Sequence, residues 1–190
     1  MKSGYFFEQI FDKQDFSQAP LEMGEYENCT FSNCDFSEID FSGFIFLECK
    51  FIACNLSLVK LGKTSFQKVQ FKDCKMLGLH FNHCNEFGLS FHFENCVLNH
   101  SSFYLQKIKN TIFFNCQLQE VDFIETDLTG SVFENCNLVG ASFENTILEK
   151  VDFRTAFNYS IDPEINRMKK AKFSLIGVIG LLNKYNIEIE

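Results

Sequence analysis

Nine cysteines and four histidines are the residues of this chain whose types could do chemistry. Thiolate and imidazole ligate zinc, and a thiolate beside an imidazole makes a nucleophile. The spacing argues against both. Metal-binding cysteines come as CxxC-type pairs, whereas the closest pairs here are five positions apart, as in CTFSNC at 29–34. His80, His83, His92 and His100 lie near Cys84, and two histidines three apart could hold a metal, but a solvated surface is the simpler reading. An odd number of cysteines argues against a disulfide framework. No Ser/His/Asp arrangement, glycine-rich phosphate loop or HExxH motif occurs. The expectation is a protein without catalytic residues, metal or cofactor.

The cysteines share a frame instead. Cys29, Cys34, Cys49, Cys54, Cys74, Cys84, Cys96, Cys116 and Cys136 all stand two residues before one position of a five-residue repeat. Large apolar residues hold that position from Phe11 through Phe16, Leu21, Tyr26 and Phe31 to Phe81, without a gap. After a slip of two residues the frame resumes at Phe93 and runs to Phe153. Neither a helix of 3.6 residues nor a two-residue strand alternation has this period. Two inward side chains in five, one large and one small, suit a chain that turns a corner every five residues. Four sides then close a winding of twenty, so that residue n lies over n+20. Phe11, Phe31, Phe51, Phe71 and Phe91 are expected in one column, as are Cys34, Cys54 and Cys74, and Cys96, Cys116 and Cys136. Each winding buries its faces only against its neighbours, as in a solenoid. The cysteines are then small buried hydrophobes.

Runs such as CDFSE, TDLTG, CNLVG, ASFEN and VDFRT resemble the pentapeptide-repeat family, whose tandem motif is similar to A(D/N)LXX. The resemblance covers about residues 9–155. It implies an all-β solenoid, a right-handed quadrilateral β-helix. ENCTFSNCDFSEIDFSGFIFLECKF (27–51) looks like the quinolone-resistance (Qnr-type) branch, and IDPEINR (161–167) looks like the tail of the microcin-immunity branch.

Breaks in the frame mark the organisation: a stack over 1–83, a break at 84–90, a second stack over 91–155, and a tail over 156–190. At the break Glu86 takes a large apolar position and Gly88 follows. This is either a hinge or a tolerated insertion. In the tail, Asp162 before Pro163 reads as a helix start, with helices expected at about 163–170 and 175–184 and a short strand at 187–190. A solenoid end needs a cap. Leu175, Ile176, Val178, Ile179, Leu181 and Leu182 exceed what a small cap requires, and a homodimer through this segment is expected.

With 25 Phe, no Trp and two Pro, the chain has a packed core and no linker. No apolar run is long enough to span a membrane, and MKSGYFFEQIFDKQDF lacks a signal-peptide core. A cytoplasmic location is the expectation. Charge is the readable property of the surface. Residues 1–90 carry 8 basic and 12 acidic side chains, 91–153 carry 3 and 9, and 154–190 carry 6 and 4, summing to −8. This balance argues against direct nucleic-acid binding. Glu94, Glu120, Asp122, Glu125, Asp127, Glu134, Glu144, Glu149 and Asp152 form the expected partner surface. Lys50, Lys60, Lys63, Lys68, Lys72 and Lys75 are expected close together as a basic exception. The resemblance implies a DNA mimic that binds a bacterial type II topoisomerase, DNA gyrase or topoisomerase IV, and protects it from quinolones or a peptide toxin. The alternative is a scaffold for an unrelated partner, its charge serving solubility. Several Qnr-type members carry long projecting loops that protection needs, whereas the largest interruption here is two residues.

Overall fold

The computed structural model describes residues 4–185 and 187–188. Its strands are short because the backbone corners every five residues: β1 (Gly4–Phe7), β2 (Ile10–Asp12), β3 (Gly24–Glu27), β4 (Thr30–Ser32), β5 (Ile45–Leu47), β6 (Lys50–Ile52), β7 (Ser65–Gln67), β8 (Val69–Lys72), β9 (Phe91–Glu94), β10 (Ile112–Phe114) and β11 (Val132–Glu134). They form two parallel sheets, β1-β3-β5-β7 and β11-β10-β9-β8-β6-β4-β2. Within each sheet residue n pairs with n+20, as in Phe31↔Phe51 and Phe113↔Phe133, except between β8 and β9. The chain is therefore a parallel β-solenoid with four faces. Face I starts at Phe6 and carries the short sheet; face II starts at Phe11 and carries the long one. Faces III and IV, starting at Phe16 and Leu21, are joined by isolated bridges such as Asp35↔Asn55 and Ser102↔Asp122.

The large inward residues stack as columns of rings. On face II, ring centroids lie 4.8 Å apart for Phe31–Phe51, 5.4 Å for Phe71–Phe93 and 4.8 Å for Phe113–Phe133, all near-parallel. Rings of opposite faces meet edge-on across the interior, as Phe113 of face II does with Phe123 of face IV. Both arrangements suit the quadrupole of the ring. The column differs from expectation at one place. Phe71 stacks on Phe93, not on Phe91, because the slip shifts the register to Val69↔Phe91 and Phe71↔Phe93. Phe91 falls in the small row, where it is buried among Phe66, Phe71 and Phe81.

The small row has its own reason. Its thiols and hydroxyls donate to the carbonyl of a large residue one winding back. Examples are Cys54 to Phe31 (3.4 Å), Cys136 to Phe113 (3.3 Å), Thr126 to Phe103 (2.8 Å) and Thr146 to Phe123 (2.8 Å). A buried carbonyl with a spare lone pair is thereby satisfied, so Cys, Ser and Thr recur where only a small donor fits. All nine cysteines are buried and free. Burial pushes the Cys49 thiol up to about 12 and raises Cys84 as well. A thiol packed in the core is out of reach of a reagent in water, so none of the nine is expected to react with iodoacetamide at pH 8 in the native protein, and all nine in denaturant. Mass spectrometry counts the adducts, and one fast native thiol would refute the burial.

The slip is local. Asn85 accepts the Phe87 N–H (3.1 Å) and donates to Ser65 (3.1 Å), while Gly88 turns with a φ of +70°, the left-handed region that suits glycine. Leu89 turns inward and Phe87 outward, 79% exposed. The short sheet ends at β7, but the long sheet passes through the slip without interruption.

The tail differs from the reading of its sequence. Residues 163–170 are not helical. The winding continues, with Arg167 bridging Ile147 and Lys172 bridging Asp152. Asp162 does accept the Glu164 N–H at 2.8 Å, as a helix start would. Propagation fails because the Asn166 side chain is drawn into the core, where it donates to the Phe143 and Asp162 carbonyls at 2.8 Å each. The solenoid thus extends past 155, to Lys172. Two short 3₁₀ turns, Gly177–Leu181 and Asn183–Tyr185, replace the helix expected at 175–184. Ile187 and Glu188 are not in a strand, and the rest of the expected strand lies outside the described residues.

Candidate protein-interaction surface

The outward positions of each five-residue side are the residues before and after the large one, then the corner residue. On many sides the position before it holds a short polar side chain that accepts the N–H two residues on. Asp35 does this for Ser37 (2.8 Å), Asp122 for Ile124 (2.9 Å) and Asp152 for Arg154 (3.1 Å). This Asx turn is the physical content of the (D/N) in the motif. The corner residue sits in the left-handed region, as Asn33, Glu120 and Glu125 do, with φ of 54–55°.

These roles sort the nine expected acidic residues. Asp122, Asp127 and Asp152 are turn formers with carboxylates already committed. Asp127 is buried, which opposes ionisation, yet Thr129 and Lys109 outweigh that and hold its carboxyl below the usual range. Hydrogen bonds from Arg154 hold Asp152 low in the same way. Glu94 pairs with Lys72 (2.8 Å), Glu149 with Arg167 (2.8 Å), and Glu120 approaches His100 (3.2 Å). Glu125, Glu134 and Glu144 have no ion pair among the described residues. Nor do the nine share one face. Glu94, Glu134 and Asp152 lie on face II, Asp127 and Glu149 on face I, Asp122 and Glu144 on face IV, and Glu120 and Glu125 at the corners bounding face IV. Glu120, Asp122, Glu125 and Glu144 are the four of the nine that share face IV and its corners.

The expected lysine cluster is not one patch. Lys50 and Lys72 belong to face II, Lys75 to face III and Lys60 to face IV, because spacings other than twenty send side chains to different faces. Lys68 and Lys72 are also paired, with Glu48 and Glu94. His80 and His83 stack on each other at 5.4 Å between centroids. Among the described residues no group of three or more His, Cys, Asp or Glu could hold a metal.

Of the tail residues, Leu175 and Ile176 are 93% and 84% exposed, and Val178 and Ile179 are partly exposed. Leu181 packs against the core and Leu182 is half-buried. Lys184 locks the segment down with contacts to Asp162 (2.7 Å) and Glu164 (2.6 Å), and Tyr185 donates to Glu164 (2.8 Å). The sequence reading missed one feature, a set of cations on the later windings of face I: Lys107, Lys109, Lys150, Arg167, Lys169 and Lys170. Their spacings of twenty (Lys150, Lys170) and sixty (Lys107 and Arg167, Lys109 and Lys169) could have revealed it. No helix of the described residues is long and apolar enough to cross a membrane.

A family model described as the pentapeptide repeat region matches residues 25–92 and 89–157. Among solved structures, a trypsin-treated form of QnrB1, a plasmid-mediated fluoroquinolone resistance protein, is 16% identical over 98% of this chain and 100% of that chain, with a TM-score of 0.63. Full-length QnrB1 is also 16% identical, over 97% of this chain and 100% of that one, at 0.51. HetL, a pentapeptide repeat protein involved in heterocyst differentiation regulation from the cyanobacterium Nostoc, is 14% identical over 90% and 86%, at 0.42. At these identities the likeness to QnrB1 is one of fold. No curated protein matches the chain by sequence.

Proposed function

This chain belongs to the pentapeptide-repeat family, and from that premise we propose that it is a non-enzymatic rod that docks on a bacterial type II topoisomerase and shields it from quinolones or a peptide toxin. The observation that carries the reading is the set of carboxylates on face IV and its corners. Glu120 and Glu125 belong to one winding and Glu144 to the next, all exposed or half-exposed on hydrogen-bonded backbone that cannot rearrange. The fold likeness to a fluoroquinolone resistance protein adds to it. Rigid negative charge on a rod competes for a groove that accepts DNA phosphates, and its field speeds docking while shape sets specificity. Asp122 helps by field rather than by contact, since both its oxygens are engaged.

The test is a gyrase supercoiling assay with and without ciprofloxacin. The parent protein relieves drug inhibition. The triple variant Glu120→Lys, Glu125→Lys, Glu144→Lys needs at least about tenfold more protein for the same effect, since like charges oppose docking. No relief, no inhibition at high dose and no complex with gyrase at low salt would reject the reading. One observation favours the second reading, a scaffold for another partner: the only insertion into the pentad frame among the described windings adds two residues and no long loop. A folded parent that neither binds gyrase at low salt nor protects it would favour this second reading.

A further inference from the structure

Face I divides its charge along the rod in a way that no other face does. Its early windings carry Glu8, Glu25, Glu27 and Glu48 against Lys68, a net of 1 − 4 = −3. Its later windings carry Lys107, Lys109, Lys150, Arg167, Lys169 and Lys170 against Asp127 and Glu149, a net of 6 − 2 = +4. All six later cations are exposed. Between the halves stands the slip, with Phe87 at its tip and held by the Asn85 turn. Taking the residue before each large one, face I reads Tyr5, Glu25, Ile45, Ser65, then the slip, then Lys107, Asp127, Ile147 and Arg167. Four windings lie on each side of Phe87.

We infer that face I is the seat of a second copy of this chain, laid antiparallel across a two-fold axis at Phe87. A two-fold interface must be self-complementary, with each patch meeting its mirror position. Rotation about Phe87 sets the winding of Tyr5, Phe7 and Glu8 against that of Arg167, Lys169 and Lys170. The winding of Glu25 and Glu27 meets that of Ile147, Glu149 and Lys150, in which Glu149 is already closed with Arg167 at 2.8 Å. The middle windings meet as ion pairs already closed, Glu48–Lys68 at 2.6 Å opposite Lys109–Asp127 at 3.0 Å. Tyr5 and Phe7, 60% and 43% exposed, offer ring faces to the opposing cations. The two Phe87 rings supply the apolar centre. A phosphate polymer would match only the basic half and be repelled by the other. The tail strip at Leu175 and Ile176 has no charge order that would select a partner.

Sedimentation velocity at about 0.05 M and about 0.5 M salt, spanning strong and weak screening, tests this. The full chain is expected to dimerise at low salt and dissociate at high salt. The variant Glu8→Lys, Glu25→Lys has a face basic at both ends, and Lys169→Glu, Lys170→Glu has one acidic at both ends. Each alone is expected to lose dimer affinity by at least about tenfold, while an equimolar mixture restores it. Circular dichroism and melting confirm that both variants fold, since the exchanged residues point outward. A parent that stays monomeric at low salt overturns the inference. So do folded variants that dimerise like the parent, which would assign the contact to the tail strip if Leu175→Asp then abolishes it. A mixture of folded variants that fails to pair overturns it too.

Discussion

Phe113→Ala lowers the unfolding free energy by about 3–5 kcal/mol, the usual range for deleting a buried ring. Phe113 is fully buried and lies between Phe93 and Phe133, with centroids at 5.1 and 4.8 Å. It also meets Phe103 and Phe123 edge-on, at 6.2 and 6.1 Å. Removing the ring strips contacts from four neighbours at once. The site cannot collapse around the void, because β10 is pinned on both sides, by β9 and β11. In a one-dimensional stack the lesion weakens two winding interfaces in the middle of the rod. Phe11→Ala, in the same column but only partly buried at the first winding, is expected to lose clearly less. Urea denaturation read by circular dichroism compares the two. Equal losses at both sites, or no shift at Phe113, would contradict the stacked column.

Gly180→Val detaches the tail. A β-carbon at Gly180 would lie 2.4 Å from the Tyr159 carbonyl oxygen and 2.8 Å from its ring, and the first is backbone that cannot step aside. The 3₁₀ segment must lift. With it go the Ile161 N–H bond to the Gly180 carbonyl (3.0 Å) and the clamp of Lys184 on Asp162 and Glu164. Overpacking of this kind costs about 1–3 kcal/mol. Its signature is an exposed last winding: Tyr159 and Phe173 become solvent-accessible, and trypsin cleaves at Lys184 faster than in the parent. The rod upstream of 153 keeps its hydrogen-exchange protection. Unchanged proteolysis at Lys184 would show that the close fit of Gly180 against Tyr159 does not hold the tail.

The surface was less legible than the core. Nine carboxylates could be counted from the sequence, but counting does not separate a turn-forming Asp122 or Asp127 from a free Glu125. Both types satisfy the repeat, and only the hydrogen bonds show which oxygens are engaged. The tail misled for a similar reason. Asp162 and Pro163 are good helix openers locally, and what overrides them is Asn166 reaching the Phe143 carbonyl, a contact 23 residues away.

By itself the sequence determined the five-residue period, the twenty-residue winding, the inward rings and the burial of all nine thiols. These follow from side-chain size repeated at a fixed interval, which any observer of the chain can count. Tertiary structure alone decided that the long sheet crosses the slip with Phe71 over Phe93, that the winding runs on to Lys172, and which face each charge occupies. The reason is that a two-residue shift re-addresses every later side chain. Where the extra residues are absorbed, on face I with Phe87 out and Leu89 in, depends on neighbours one winding away.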